Sequence, residues 1–395
     1  MKNVSGHESP LALETLLATA GRDTQTQNGF VNPPVVRGST VLYPTVEDLL
    51  ANRSAFQYGR FDTPTTKSLR AALAELEGPQ CAGVGLTSSG LSAIAIALLS
   101  LVQSGDHILV VDNVYRATRQ FCDHFLKRMG VATTYFDPLI GGRIASLFQS
   151  KTKAVVVEAP ASLTFEMPDI PAIAAVAHEH GAFVIDDNTW ATPLFHRSLE
   201  QGVDISVVSA TKYIGGHADL MLGTLAANKT TWPMVSTTTR LLGVCVASDD
   251  AYCALRGLRT LAIRLAQHQS SAFELARWLS SRPEVARVFH PGLPADPGHA
   301  IWKRDFTGAT GLFSIELKPV SQAALHAFLN ALTLFGMGYS WGGYESLVLP
   351  FDRLPERTTS VWAPDGPTVR FHVGLENIED LKADLDRAFF ELKAA

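Results

Sequence analysis

The stretch Ile205-Ser-Val-Val-Ser209-Ala-Thr211-Lys212-Tyr-Ile-Gly215-Gly216-His-Ala-Asp219 decides how the chain is read. It is a short apolar strand that stops on small hydroxyl residues, one lysine and a glycine pair. A lysine in such a loop, after a buried strand, can carry a carbonyl cofactor as a Schiff base. An ordinary surface lysine at a strand end has the same wording. What separates the two is whether matching chemistry stands at the ends of other strands.

Working outward, it does. Ala82–Leu86 reads as a strand that runs into Thr87-Ser88-Ser89-Gly90, and a helix follows at Leu91. Ile108–Asp112 leads into Asn113-Val114-Tyr115, Ala154–Val157 ends on Glu158, and Phe183–Ile185 ends on Asp186-Asp187-Asn188-Thr189. Gly223–Asn228 is a further strand. Helical stretches intervene, for example Arg116–Met129 and Ile170–His180. Near-continuous apolar strands alternating with helices predict an α/β fold, a mostly parallel sheet covered on both faces. In such sheets ligands sit outside the carboxyl ends of the strands, so these polar endings converge on one crevice.

The flanks differ in character. Residues 1–60 are turn-rich, with few apolar residues for a private core, and read as an arm that packs on something else, another subunit included. Residues 61–256 form the large domain. Residues 257–395 read as a smaller α/β domain, with a long helix over Leu258–Leu279, alternating strands at Gly311–Leu317 and Thr368–Val373, a loop at Tyr339–Leu347 and a last helix over Ile378–Leu392.

Composition removes other classes. A net charge of −5 offers no basic surface for nucleic acid or an anionic membrane. The most continuous apolar run, Ala93–Val102, is broken by Ser100 and too short to span a bilayer. The polar opening Met1–Pro10 has no apolar segment of the secretory kind. Four scattered cysteines without a Cys-x-x-Cys fit a reduced, cytoplasmic protein. No metal is expected: on a helix, His178 and His180 do not share a face. No Gly-x-Gly-x-x-Gly follows the first strand, which argues against a dinucleotide-binding oxidoreductase.

The converging residues suit a cofactor with a phosphate, a pyridine ring and an aldehyde. Gly90 and Leu91 open a helix, whose free N–H groups favour an anion, with Ser89, Ser209 and Thr211 adding hydroxyls and Arg60 a charged fork. Ser88-Ser89-Gly90 also reads as a plain helix cap, and Tyr58 and Arg60 as an ordinary loop. A pyridine nitrogen needs a carboxylate, and Asp187, at the end of a buried strand, is placed for this; Asp186 is its rival, and strand alternation lets only one serve. Tyr115 is the aromatic for the ring face. Arg370, on an apolar strand, suits a substrate carboxylate or else an internal salt bridge.

Together, Tyr58-Gly-Arg60, Ser89–Ala93, Asp187-Asn-Thr189, Ser209–His217 and Val369–Glu376 resemble the Cys/Met-metabolism family of pyridoxal-phosphate enzymes. The resemblance implies an aspartate-aminotransferase-like fold (fold type I) with pyridoxal 5'-phosphate on Lys212. It implies a homotetramer, a dimer of dimers, in which Tyr58 and Arg60 reach the neighbouring subunit's site. Tyr339-Ser340-Trp341-Gly-Gly-Tyr-Glu-Ser346 resembles the β-lyase branch, whereas Thr87–Gly90 is nearer the γ-synthase wording. The implied substrate is L-cystathionine, with cystine and related thioether amino acids as alternatives. Lys212 and Tyr115 would be catalytic. Tyr58, Tyr115, Tyr339, Ser340, Trp341 and Arg370 would bind substrate. A γ-lyase, a γ-synthase, a broad C–S lyase or a non-catalytic binding module on the same scaffold are the other readings.

Overall fold

In the computed structural model, which describes residues 11–351 and 357–394, the lysine stretch forms the expected strand and loop. Met1–Pro10, the opening of the expected arm, lie outside the described residues. Numbering strands in chain order, the large sheet contains β1 (Gly83–Thr87), β2 (His107–Val111), β3 (Ala132–Phe136), β4 (Thr152–Glu158), β5 (Phe183–Asp187), β6 (Ile205–Ser209) and β7 (Gly223–Ala227). Their order is β1-β7-β6-β5-β4-β2-β3. Neighbours from β3 across to β6 are parallel, while β7 runs antiparallel to both β6 and β1. The sheet is therefore mostly parallel. Its central strands are apolar along their length because helices cover both faces, as β2, with every residue buried, illustrates.

Strand β3 was not foreseen. Ala132-Thr-Thr-Tyr-Phe136 lies at the sheet edge with only Phe136 buried, so it lacks the apolar run that marks the others. The helix expected over 116–129 is α-helical over Arg116–Gln120, continues as a π-helical turn, Phe121–Leu126, and ends on two α-helical residues, 127–128. Two helices, Trp232–Leu241 and Ser248–Arg259, were also not foreseen. The long helix runs over Leu261–Ser280. It sends Leu261 and Leu265 into the core around the large sheet, and Ala272, Leu275 and Leu279 into a second core.

That second core underlies β8 (Val285–Phe289), β9 (Leu312–Leu317), β10 (Gly336–Met337), β11 (Leu347–Pro350) and β12 (Thr368–His372), ordered β10-β11-β12-β9-β8. Helices Gln322–Ala331 and Ile378–Ala394 pack on it, with Phe328 and Phe389 in ring contact at 5.0 Å. The chain after β11 reaches back to the large sheet. Thr358 and Thr359 donate main-chain and hydroxyl hydrogens to Asp112, and Arg357 pairs with Glu166 at 2.5 Å. Asp112, expected at a ligand-facing strand end, therefore ties the two parts together.

Between residues 11 and 60 a short helix, Leu13–Thr19, buries Leu17, but the helix Val46–Leu50 buries nothing. Phe30, Leu42 and Leu50 remain largely exposed. This segment is held by polar ties: Arg37 pairs with Asp249 at 2.6 Å, and Ser248 Oγ donates to Val36 O at 2.5 Å.

Candidate active site

Lys212 sits one turn beyond β6. Its loop is closed by main-chain bonds, Lys212 N–H to Ser209 O at 3.0 Å, Gly215 N–H to Ala210 O at 2.8 Å and Gly216 N–H to Lys212 O at 2.8 Å. Arg264 caps the loop from behind, donating to Tyr213 O at 2.7 Å and to Gly257 O at 2.8 Å. Gly216, at φ +72°, turns the chain there, and a Cβ would stand 2.0 Å from an Arg264 nitrogen. The lysine is thus delivered by a rigid turn, with little left to side-chain chance.

Around its amine stand four groups. Lys212 Nζ donates to Ser340 Oγ at 2.5 Å and lies 5.3 Å from the Trp341 ring centroid. Arg370, buried on β12, donates through Nη2 to Ser340 O at 3.0 Å. Among the described residues Arg370 has no carboxylate partner, so the internal salt bridge is absent there and its charge is available to an anion. Burial pushes the Lys212 ammonium down to about 8, Arg370 pushes the same way, and Asp187 opposes them. The neutral amine is therefore far more accessible than for an ordinary lysine. Ser340 holds φ +78°, a left-handed conformation costing roughly 1–3 kcal/mol in a non-glycine residue.

The two rival aspartates separate as strand alternation requires. Asp187 faces Lys212; Asp186 points to the far face, where Ser198 Oγ donates to it at 2.5 Å. Asp187 is oriented by Thr189, whose Oγ donates to Asp187 Oδ1 at 2.5 Å and whose N–H reaches the same oxygen at 3.2 Å. Ser209 N–H in turn donates to Thr189 Oγ at 2.8 Å, tying β5 to β6 at the site. Burial raises the Asp187 carboxyl, and it raises Glu158 well above the usual carboxylate range, with Asp187 adding to the effect. The two acids sit opposite each other on adjacent strands.

The anion end is formed where the helix Gly90–Leu101 begins. Ser89 is its cap and accepts from Ser92 N–H at 3.2 Å, so the plain cap reading holds for that hydroxyl. The helix end presses on β6: a Cβ at Gly90 would stand 2.6 Å from Ser209 Cβ. Ser89, Gly90 and Ser209 are therefore gathered, and Leu91 is partly exposed beside them. Thr211 instead spends its hydroxyl on Leu222, donating to its carbonyl at 3.2 Å and accepting its N–H at 3.0 Å. Tyr115, half exposed, is placed by Glu158, which accepts Tyr115 N–H at 2.7 Å.

Two expected residues are not gathered by the same chain. Arg60 donates to Arg240 O at 3.1 Å and lies over the Phe61 ring, and Tyr58 is partly exposed in the arm. Tyr339 points outward, 86% exposed. Glu158 and Thr189 were expected at the crevice, but not their roles in placing Tyr115 and orienting Asp187; His372 beneath the 340–343 loop was missed. His372 had a signal in the sequence, since it lies two residues from Arg370 on one strand and so shares its face.

A model of the Cys/Met metabolism PLP-dependent enzymes matches residues 14–390. The chain belongs to this family. A putative cystathionine β-lyase from Rhizobium johnstonii is 51% identical, with 95% of this chain and 96% of that protein aligned. A cystathionine β-lyase from Salmonella typhimurium is 43% identical over 95% and 98%. Among solved structures, a cystathionine γ-synthase from Xanthomonas oryzae pv. oryzae in complex with cystathionine superposes with a TM-score of 0.90 at 32% identity, covering 98% of this chain and all of that one. The fold-type-I architecture is thereby shown, and with it a PLP-dependent enzyme. The family's cofactor fits the donor set: an amine of lowered pKa, a half-buried carboxyl whose partner is one threonine, and a helix start with hydroxyls. Among the described residues no His, Cys, Asp and Glu cluster could hold a metal, and no helix is long and apolar enough to cross a membrane.

Proposed function

We propose that this chain cleaves the Cβ–S bond of L-cystathionine, giving homocysteine, pyruvate and ammonia with uptake of one water. The observation that carries the reading is the meeting of Lys212, Ser340, Trp341 and a carboxylate-free Arg370 in one crevice. Bound at Lys212, pyridoxal phosphate supplies a carbonyl for the substrate amine and a ring that withdraws electrons from the α-carbon. Asp187 would hold the ring nitrogen, Ser89, Gly90, Leu91 and Ser209 would hold the phosphate, with Thr211 shaping the loop beside it through Leu222, and Tyr115 would cover the ring face. Arg370 binds the α-carboxylate, helped by Ser340. Lys212, once free, takes the α-proton; the Cα–H electrons expel sulfur from Cβ, and Lys212 returns a proton to the leaving thiolate, with Tyr115 alongside. Trp341 lines the distal half of the substrate.

The working unit is a homotetramer, a dimer of dimers in which Tyr58 and Arg60 serve the neighbour's phosphate. The exposed Phe30, Leu42 and Leu50 support this, since an arm with so little core gains from a partner surface. The enzyme works in the cytoplasm. A substrate panel of cystathionine, cystine and cysteine, read for product, tests the chemistry. Pyruvate with homocysteine is expected from cystathionine. 2-Oxobutyrate with cysteine would mean γ-elimination, and no keto acid from any of the three would end the proposal.

A further inference from the structure

The loop that carries Ser340 and Trp341 does not hold its own shape. Ser340 and Gly342 both have positive φ, at +78° and +89°. The loop lies directly on the lysine: a Cβ at Gly342 would stand 2.8 Å from Lys212 C and 2.9 Å from Lys212 Cα. Something must press it there. Beneath it stands His372, 1% exposed on β12. Gly342 N–H donates to His372 Nε2 at 3.1 Å, and Gly343 O lies 3.1 Å from the same atom. A neutral ring serves one of these at a time. With its proton on Nδ1 it accepts from Gly342; with the proton on Nε2 it donates to Gly343. Either tautomer fixes the loop.

The ring cannot swing away. His268 lies 5.3 Å from it and Tyr213 5.9 Å, centroid to centroid. His268 is itself fixed by its Nδ1, 2.8 Å from Val373 O. A Cβ at Gly311 would stand 3.3 Å from His372 Cε1, so the floor is also closed. Tyr213 in turn contacts Trp341, at 5.3 Å between centroids. Burial first, then His268, keeps His372 neutral by pushing its pKa down to about 3.

We propose that His372 is a positioning residue for substrate recognition: it pins the Gly342–Gly343 main chain so that Ser340 and Trp341 stand over Lys212 and beside Arg370. The role in recognition rests on the reading of the crevice as a thioether amino-acid site; the pinning itself does not. One histidine thus acts on substrate affinity through a loop, without touching the reacting atoms.

The test compares wild-type holoenzyme with His372→Leu, His372→Gln and His372→Asn. The Gln amide reaches the Nε2 position and can both accept and donate; the Asn amide is too short. Hydrogen exchange is read first. Peptides covering 338–346 should exchange at least tenfold faster in the Leu and Asn variants, with β5 and β6 unchanged and Gln near wild type. KM for cystathionine should rise about tenfold in Leu and Asn, with kcat falling less than threefold and recovery in Gln. Unchanged exchange at 338–346 in Asn overturns the pinning, as does equal loosening of Gln and Asn. A loss confined to kcat overturns the role in recognition. If Leu does not fold, the Gln–Asn contrast decides alone. A wild type inactive on thioethers but showing the exchange pattern would sink the proposed function and leave the pinning standing.

Discussion

Asp186 and Asp187 are neighbours in β5 and face opposite sides of one sheet. On the far side, Asp186 shares a closed polar cluster with Ser198, His196, Glu77 and Ser206; Ser206 Oγ donates to Glu77 Oε1 at 3.1 Å. Burial pushes Asp186 up to about 8, with Asp187 adding to it, and Glu77 also to about 8. On the crevice side, Asp187 is likewise raised by burial, but it faces an amine and is oriented by Thr189. A shifted carboxyl alone therefore does not mark a functional site. The difference is that the far-side acids are provided with hydroxyls and shut in, while Asp187 shares its space with Lys212 and, beyond it, Arg370.

The harshest way to break this comparison is to remove the amine that distinguishes the two sides. Lys212→Ala should keep the fold, because the loop is closed by main-chain bonds and by Arg264 rather than by the lysine side chain. Turnover should fall by roughly 10³-fold or more, since one base both removes and returns the proton. Steady-state kinetics together with circular dichroism check this. Near-normal activity in a folded variant would remove Lys212 from the chemistry.

A smaller contrast comes from exchanging each aspartate for its amide. Asp187→Asn should release the cofactor more readily and lower kcat by about 10²-fold, because an amide cannot hold a protonated ring nitrogen as a carboxylate does. Asp186→Asn should stay within about threefold of wild type. Cofactor absorbance after dialysis, with kcat, separates them. The reverse pattern would mean that the faces are assigned the wrong way round.

The same pair shows what was legible in the sequence. That only one aspartate could face the lysine followed from the period of a strand. Period alone does not say which; Asp187 is preferred for its place at the end of the strand and in the stretch Asp187-Asn188-Thr189. The parallel strands were legible because burial on both faces leaves an unbroken apolar run, and β3 escaped because an edge strand needs none. Lys212 and Arg370 stood out as charges in apolar settings. Thr189 was legible at the crevice but not as the hydroxyl that orients Asp187, and the role of His372 was not, because it acts through main-chain groups whose positions only the folded chain supplies. Tyr58 and Arg60 were legible as a motif, yet the single chain gives them neighbours in the arm and at Arg240.

The gentlest probe leaves activity alone and titrates the far side. Asp186 and Glu77 have folded pKa values of about 8, against about 4 for carboxyls in an unfolded chain. Between these limits the folded state keeps protons that the unfolded state has lost, so these two groups make stability fall as pH rises. The slope is at most about 1.4 kcal/mol per pH unit for each group. Buried histidines act oppositely at lower pH. Burial pushes His196, His268 and His290 down to about 4, so their contribution grows as pH rises from there to about 6.5, where unfolded histidine loses its proton. Above about 8 the lowered Lys212 also opposes the carboxyls. Between pH 6.5 and 8 the raised carboxyls therefore dominate. Urea midpoints for wild type and for Glu77→Gln with Asp186→Asn should diverge across this range, the wild type losing stability faster as pH rises. Since Glu158 and Asp187 are common to both proteins, the difference between them isolates Asp186 and Glu77. Parallel curves would mean that the two acids are ionised in the folded protein, and that the two faces of the sheet differ less in their burial of charge than in the partners they offer it.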